Sequence, residues 1–295
     1  MDSLPRFFTL TYAVTWACFL AAAASSSIPA LAGLRWPLMI LGAFAPSTIA
    51  LWQTARTNGA AAARALLRRV IAWRVGLRWY VFALGYMAAI KIAVALLYRV
   101  IRGEWPRFGH EAWYVIIAAM VVAAIFGGPL GEEIGWRGYA LPRLAARFGL
   151  ARASLLLGLI WACWHLPVFF IPGLDQYGQS FPVYLLQVTA LSVAMAWLYW
   201  HTNGSLLLAI LMHSAVNQSK DIVPSAVAAA ANPLALSTSL VAWLTIALLW
   251  IGAGYLLVRM SNDRALEPRD VFNARSGDLR APAVRVPALS DDNHI

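Results

Sequence analysis

Ala112-Trp-Tyr-Val-Ile-Ile-Ala-Ala-Met-Val-Val-Ala-Ala-Ile-Phe-Gly-Gly-Pro-Leu-Gly131 carries no charge, and it runs straight into Glu132-Glu133-Ile-Gly-Trp-Arg137. About 20 apolar residues in a row cross a bilayer as a helix. Seven further runs share this character: Phe7–Ala24, Trp36–Ala55, Trp79–Tyr98 (interrupted by Lys91), Ala153–Leu174, Phe181–Trp200, Ser205–Ser219 and Leu234–Val258. Ser205–Ser219, the seventh of the eight in chain order, is short and ends polar, and Ile222–Ala231 either extends it or lies at the interface. The pattern predicts an all-α, polytopic membrane helix bundle of about eight transmembrane helices.

Composition agrees. Hydrophobic residues make up 61% of the 295-residue chain and charged ones only 12%, against roughly 25% charged in soluble domains. Too little polar surface is left to cover a water-facing globule. A disordered chain, a disulfide scaffold and a secreted enzyme are excluded for the bulk of the sequence. The two cysteines, Cys18 and Cys163, both lie in apolar runs and form neither a framework nor a thiolate metal site. The net charge of +10 does not point to nucleic acid, because the arginines sit between apolar runs. There they set orientation across the bilayer. With the N-terminus inside, 17 of the 23 basic residues fall on the cytoplasmic side and five outside, with Lys91 within a span. Both termini are therefore expected in the cytoplasm of a cell whose inner (plasma) membrane holds the protein.

The first run makes a poor signal peptide, since Asp2 and Arg6 cancel, and is read as an uncleaved span. The expected organisation is an N-terminal unit at 1–110, a core at 111–220, a last helix region at 221–260 and a disordered cytoplasmic tail at 261–295. Near 60–75, Leu66, Leu67, Val70 and Ile71 share one face beside Arg64 and Arg68. This suits an amphipathic helix on the cytoplasmic surface; a helical extension of the third span fits as well. No internal repeat is visible, which weakens a transporter reading.

Charges inside a bilayer need a reason. Glu132 and Glu133 close the fourth run, and neighbours on a helix point about 100° apart. Glu133 lies four residues from Arg137, a spacing at which side chains meet. That leaves Glu132 to face another direction. A carboxylate in a low-dielectric pocket is a stronger base than in water, which suits proton transfer. The blander alternative is that both carboxylates cap or staple a helix end. In Trp161-Ala-Cys-Trp-His165-Leu-Pro167, Trp161 and His165 share a face, and Pro167 loosens the helix beyond. In His213-Ser-Ala-Val-Asn217, a second imidazole and an amide share a face. Each motif alone is also compatible with interhelical hydrogen bonding. Counted from the cytoplasmic side, His165 lies about 18 Å into its span and His213 about 12 Å. All of these groups could then meet in one cavity open to the cytoplasm, able to activate water and stabilise an oxyanion.

Together the three motifs resemble the CAAX-protease and bacteriocin-processing (CPBP, or Abi) family of intramembrane proteases. The family pattern is Glu-Glu-x-x-x-Arg, Phe-x-x-x-His and His-x-x-x-Asn/Asp on successive helices. Here these are Glu132-Glu133-Ile-Gly-Trp-Arg137, Trp161-x-x-x-His165 with Trp for Phe, and His213-x-x-x-Asn217. The resemblance implies an eight-span fold like that of the Ras-converting CAAX endopeptidase. It assigns Glu132 and His165 to water activation, His213 and Asn217 to the oxyanion, and Glu133, Arg137 and Trp161 to support. It leaves two chemistries open: a metal-free glutamate mechanism, which is favoured here, and a zinc site on Glu132, His165 and His213. The expected partners are a peptide or membrane-protein substrate and the lipid bilayer. Arg- and Ala-rich usage suggests a high-GC bacterium, where prenylated CAAX proteins are generally lacking, so other peptides are equally good substrates. Two competing readings are a non-catalytic immunity or scaffold protein of the same fold and a proton-coupled transporter using Glu132 and Lys91.

Overall fold

The computed structural model describes residues 3–126, 128–224, 232–237 and 239–262. Among them there are helices and turns but no strand. The helices are α1 (Ser3–Ser26), α2 (Arg35–Ala43), α3 (Ala45–Arg68), α4 (Leu77–Arg102), α5 (Trp113–Phe126), α6 (Gly128–Glu133), α7 (Leu141–Trp164), α8 (Phe181–His201), α9 (Leu206–Gln218) and α10 (Leu240–Asn262). Between α6 and α7 the chain winds as a π-turn, Ile134–Ala140. In lipid every backbone N–H and C=O must be satisfied within the segment, which is why apolar runs become helices.

Each of the eight apolar runs holds helix, and the bundle is polytopic. Among the described residues five helical stretches are long and apolar enough to cross, six if α2 and α3, bent by 46°, form one broken span, so the expected eight are not each matched by a separate long helix. The fourth and fifth runs fall in one stretch, Trp113–Phe170. At 13 residues α9 is about 20 Å long, short of a full crossing. The expected disordered tail lies outside the described residues from 263 on, as does most of Ile222–Ala231.

Two helices break at glycine. Gly59 (φ 85°) interrupts α3 and Gly149 (φ 75°) interrupts α7, a left-handed backbone that residues with a Cβ rarely adopt. The segment after Gly59 is the basic, amphipathic stretch of the sequence. It buries Leu66 and exposes Leu67 and Ile71. It is not an extension of α4, because Ala72–Gly76 between them is non-helical.

Packing centres on α6 and the π-turn, which lie among α3, α5, α7 and α9. All seven residues of the π-turn are buried. Lipid tails are as apolar as leucine, so helices associate here by close fit and interhelical hydrogen bonds. At Gly158 of α7 an added Cβ would lie 2.7 Å from the Thr189 backbone of α8. Nearby, Ser192 donates to the Ser154 carbonyl at 2.9 Å. At Gly135 an added Cβ would lie 2.6 Å from the Pro46 carbonyl of α3. Lys91 does not snorkel: it is 1% exposed, and its Nζ donates to the Val223 carbonyl at 2.9 Å, tying α4 to the chain beyond α9.

The contact at Gly135 is backbone to backbone and cannot be relieved by a rotamer change. Gly135→Ala should therefore destabilise the bundle by about 1–3 kcal/mol, the usual cost of overpacking. Gly254→Ala should not, since nothing lies within 4 Å of its added Cβ and alanine is the better helix former. Melting curves of the two purified variants in detergent check this.

Candidate active site

The last turn of α6 and the π-turn present Glu132, Glu133 and Arg137, all buried. A π-turn widens the helix by one residue, a distortion common at functional sites. Glu133 and Arg137 meet across it as their spacing predicted, Arg137 Nη1 donating to Glu133 Oε1 at 2.8 Å. The same oxygen takes a second partner that spacing did not reveal. His213 Nδ1 of α9 lies 2.8 Å from Glu133 Oε1. One carboxylate oxygen thus joins the π-turn to α9.

Glu132 turns the other way. Its Oε2 accepts a hydrogen bond from Trp161 Nε1 of α7 at 2.7 Å. The resemblance places Trp161 among the supporting residues; here it is the direct partner of the carboxylate. Its ring also carries the Arg137 guanidinium, with Cζ 4.2 Å from the ring centroid. Arg137 Nε and Nη2 have no hydrogen-bond partner among the described residues, so this cation–π contact is a main compensation for burying them. The His213 and His165 rings stand edge-on to Trp161, at 5.1 and 5.9 Å between centroids.

His165 follows the last residue of α7, where Leu166–Phe170 tightens into a 3₁₀ turn. This is the loosening that Pro167 predicted. His165 Nδ1 lies 2.9 Å from the Trp161 carbonyl. A carbonyl only accepts, so Nδ1 carries the hydrogen and the neutral ring offers Nε2 as a lone pair. The end of α7 is pinned from α1: Trp16 Nε1 donates to the Trp164 carbonyl at 3.0 Å, and the Tyr12 hydroxyl donates to the Ile160 carbonyl.

The structure therefore gathers Glu132, Glu133, Arg137, Trp161, His165 and His213 around one indole. Asn217 stands apart. It lies one turn beyond His213 on α9, its side chain is exposed, and no hydrogen bond joins it to the set among the described residues. One neighbour escaped sequence reasoning. Tyr184, in the first turn of α8, has its ring 5.4 Å from His165. A lone phenol in an apolar run carries no spacing signal.

The possible zinc ligands, Glu132, His165 and His213, do not fit a metal as placed. Among the described residues no three His, Cys, Asp or Glu side chains form a group able to hold one. Glu132 Oε2 and His213 Nδ1 already face Trp161 and Glu133. What the arrangement offers is a buried carboxylate with one oxygen engaged, two imidazoles of fixed orientation and a neutralised guanidinium.

Comparison with known proteins points the same way. Residues 112–219 match the Rce1-like family, described as type II CAAX prenyl endopeptidase Rce1-like. Every residue of the site lies in that segment. The chain is also similar to CAAX prenyl protease 2 of Methanococcus maripaludis, 24% identical over 231 residues, covering 74% of this chain and 83% of the relative. The family resemblance drawn from the three motifs is borne out by both.

The Glu133–Arg137–His213 group should behave as one unit. Removing one partner of a buried ion pair costs about 3–5 kcal/mol, because the other charge is stranded. Glu133→Gln and Arg137→Ala should each lower thermal stability in detergent. The double variant should be little worse than either single one, as contacting residues are not additive. Melting curves of the three proteins test the coupling; additive losses would contradict it.

Proposed function

We propose that the protein is an intramembrane endopeptidase that hydrolyses a peptide bond of a membrane-resident or membrane-associated substrate. The observation that carries this reading is the placing of Glu132, buried and held by one oxygen, in the same aromatic frame as His165 and His213. Peptide hydrolysis needs a base for water and donors for the tetrahedral oxyanion. Glu132 takes the proton from water through Oε1, the oxygen Trp161 leaves over. His165 Nε2, a lone-pair acceptor, orients that water. The water oxygen attacks the scissile carbonyl, and the carbonyl π electrons move onto oxygen.

His213 then donates from Nε2 to the oxyanion. Because its Nδ1–H faces Glu133, it does so as an imidazolium, with Glu133 as counter-charge. Asn217, exposed one turn further along α9, is the second donor that the family resemblance implies. Collapse of the intermediate breaks the C–N bond, and the proton held by Glu132 passes to the leaving amine. Every step uses a protein side chain and water, and no metal ion is required.

The relative's name specifies a prenylated CAAX substrate, and a lipid-bearing peptide is one class this chain would take. Other bilayer-bound peptides present the same scissile amide. The excess of basic residues on alternate loops favours a plasma-membrane protein with both termini in the cytoplasm. A cysteine placed in the tail should then resist a membrane-impermeant thiol reagent applied to intact cells; labelling from outside would invert the topology.

Glu132→Gln keeps size and hydrogen-bonding capacity but not the base. Its rate on a quenched-peptide panel, with and without farnesylated members, should fall about 10²–10⁴-fold, the usual worth of general-base catalysis. Its melting curve should match the parent protein. Parent activity should survive exhaustive chelation. Full activity in Glu132→Gln would end the assignment of Glu132 as the base, and activity restored only by about one zinc per chain would replace the metal-free mechanism.

A further inference from the structure

One residue holds both groups that face the attacking water. The Trp161 side chain donates to Glu132 Oε2 at 2.7 Å, and its backbone carbonyl faces His165 Nδ1 at 2.9 Å. The other carboxylate oxygen lies beside a glycine. A Cβ built on Gly128, one turn before Glu132 on α6, would come within 2.7 Å of Glu132 Oε1. The carboxylate is thus held by an indole N–H on one oxygen, while the other lies where a side chain at 128 would crowd it.

We infer that Trp161 is a positioning residue: it reserves Oε2 of Glu132 for structure and Oε1 for proton transfer, and it sets the carboxylate and the His165 imidazole in register. The inference rests on the protease reading. A carboxylate free to rotate would offer either oxygen in many orientations, and catalysis falls steeply when a reacting group is misplaced by about 1 Å. Phenylalanine at 161 would keep the aromatic contacts with Arg137, His165 and His213. It would also keep the backbone carbonyl to His165. It would lose the N–H to Glu132 and some ring volume, so the comparison with and without Glu132 isolates the hydrogen bond.

In the cleavage assay, Trp161→Phe should lower kcat about 10- to 100-fold, the rate equivalent of one hydrogen bond to a charged group. KM should stay near the parent value, and the melting temperature should fall only by the modest amount that the smaller ring and the lost hydrogen bond cost. In a Glu132→Ala background the same substitution should cost nothing more, because Trp161 acts through Glu132. A role in packing alone would instead add its loss in both backgrounds. A second measurement does not depend on activity. In the ¹⁵N–¹H spectrum of the detergent-solubilised protein, the indole signal missing from Trp161→Phe identifies Trp161. That signal should move in Glu132→Ala. If it stays in place, or if kcat in Trp161→Phe is unchanged, the inference is overturned even for an active protease. If it moves but the parent protein cleaves no peptide, the protease reading fails and takes the assigned roles with it.

Discussion

A guanidinium with no exposed surface is the constraint on which the rest of the site depends. Moving a charge of that size out of water costs several kcal/mol even after relaxation. Arg137 recovers part through Glu133 at 2.8 Å and part through the face of Trp161 at 4.2 Å. A buried pair of this kind is weak grounds for stability, since well-packed apolar residues often serve as well. Its value here is geometric. Glu133 must face Arg137, so it cannot face the same way as Glu132. Because its Oε1 also takes His213, neutralising Arg137 fixes the rotation of α9 relative to the π-turn. Two adjacent carboxylates thereby acquire different partners and, in the proposed mechanism, different work.

The aromatic frame then does what solvent does elsewhere. Trp161 touches the guanidinium, both imidazoles and Glu132. Trp136 and Trp164 meet edge to face at 5.7 Å just behind it, and Phe7 of α1 stands edge-on to Trp136 at 5.8 Å. Rings of this kind satisfy polar groups from a few directions only, through an N–H, a face or an edge. A site built from them is orientation-selective in a way that a hydrated pocket is not. The N-terminal helix, which carries no motif, contributes this packing and the two hydrogen bonds that pin the end of α7.

What could be read from the sequence was whatever lies on one helix. The eight apolar runs all hold helix, and Glu133 with Arg137 and Trp161 with His165 are spacings of four on a common face. Contacts between helices were closed to that reasoning. Glu132 and Trp161 are 29 residues apart and Glu133 and His213 are 80 apart, and nothing in local periodicity reports which helix crosses which. Tyr184 was invisible for the same reason. The number of spans is not fixed by that reasoning, because a run of apolar residues signals a helix in lipid whether or not that helix is long enough to cross alone. The breaks at Gly59 and Gly149 went unread because a single glycine in a helical pattern is usually tolerated.

The placing of His165 follows from how side-chain size changes along one helix pair. α7 and α8 face each other through Ser154 with Ser192, then Gly158 with Thr189, then His165 with Tyr184. Small residues at one end let the two backbones touch, which sets the axial register without any loop. Rings occupy the other end, where Phe169 also stacks edge-on to Tyr184 at 5.1 Å. A register fixed by backbone contact carries little slack, so the imidazole some ten residues along inherits the precision of the tight end. Functional groups held on packed helices are more sharply placed than groups on loops. His165 sits at a helix end, normally a mobile position, and Gly158 is what allows it to behave as part of the bundle's interior.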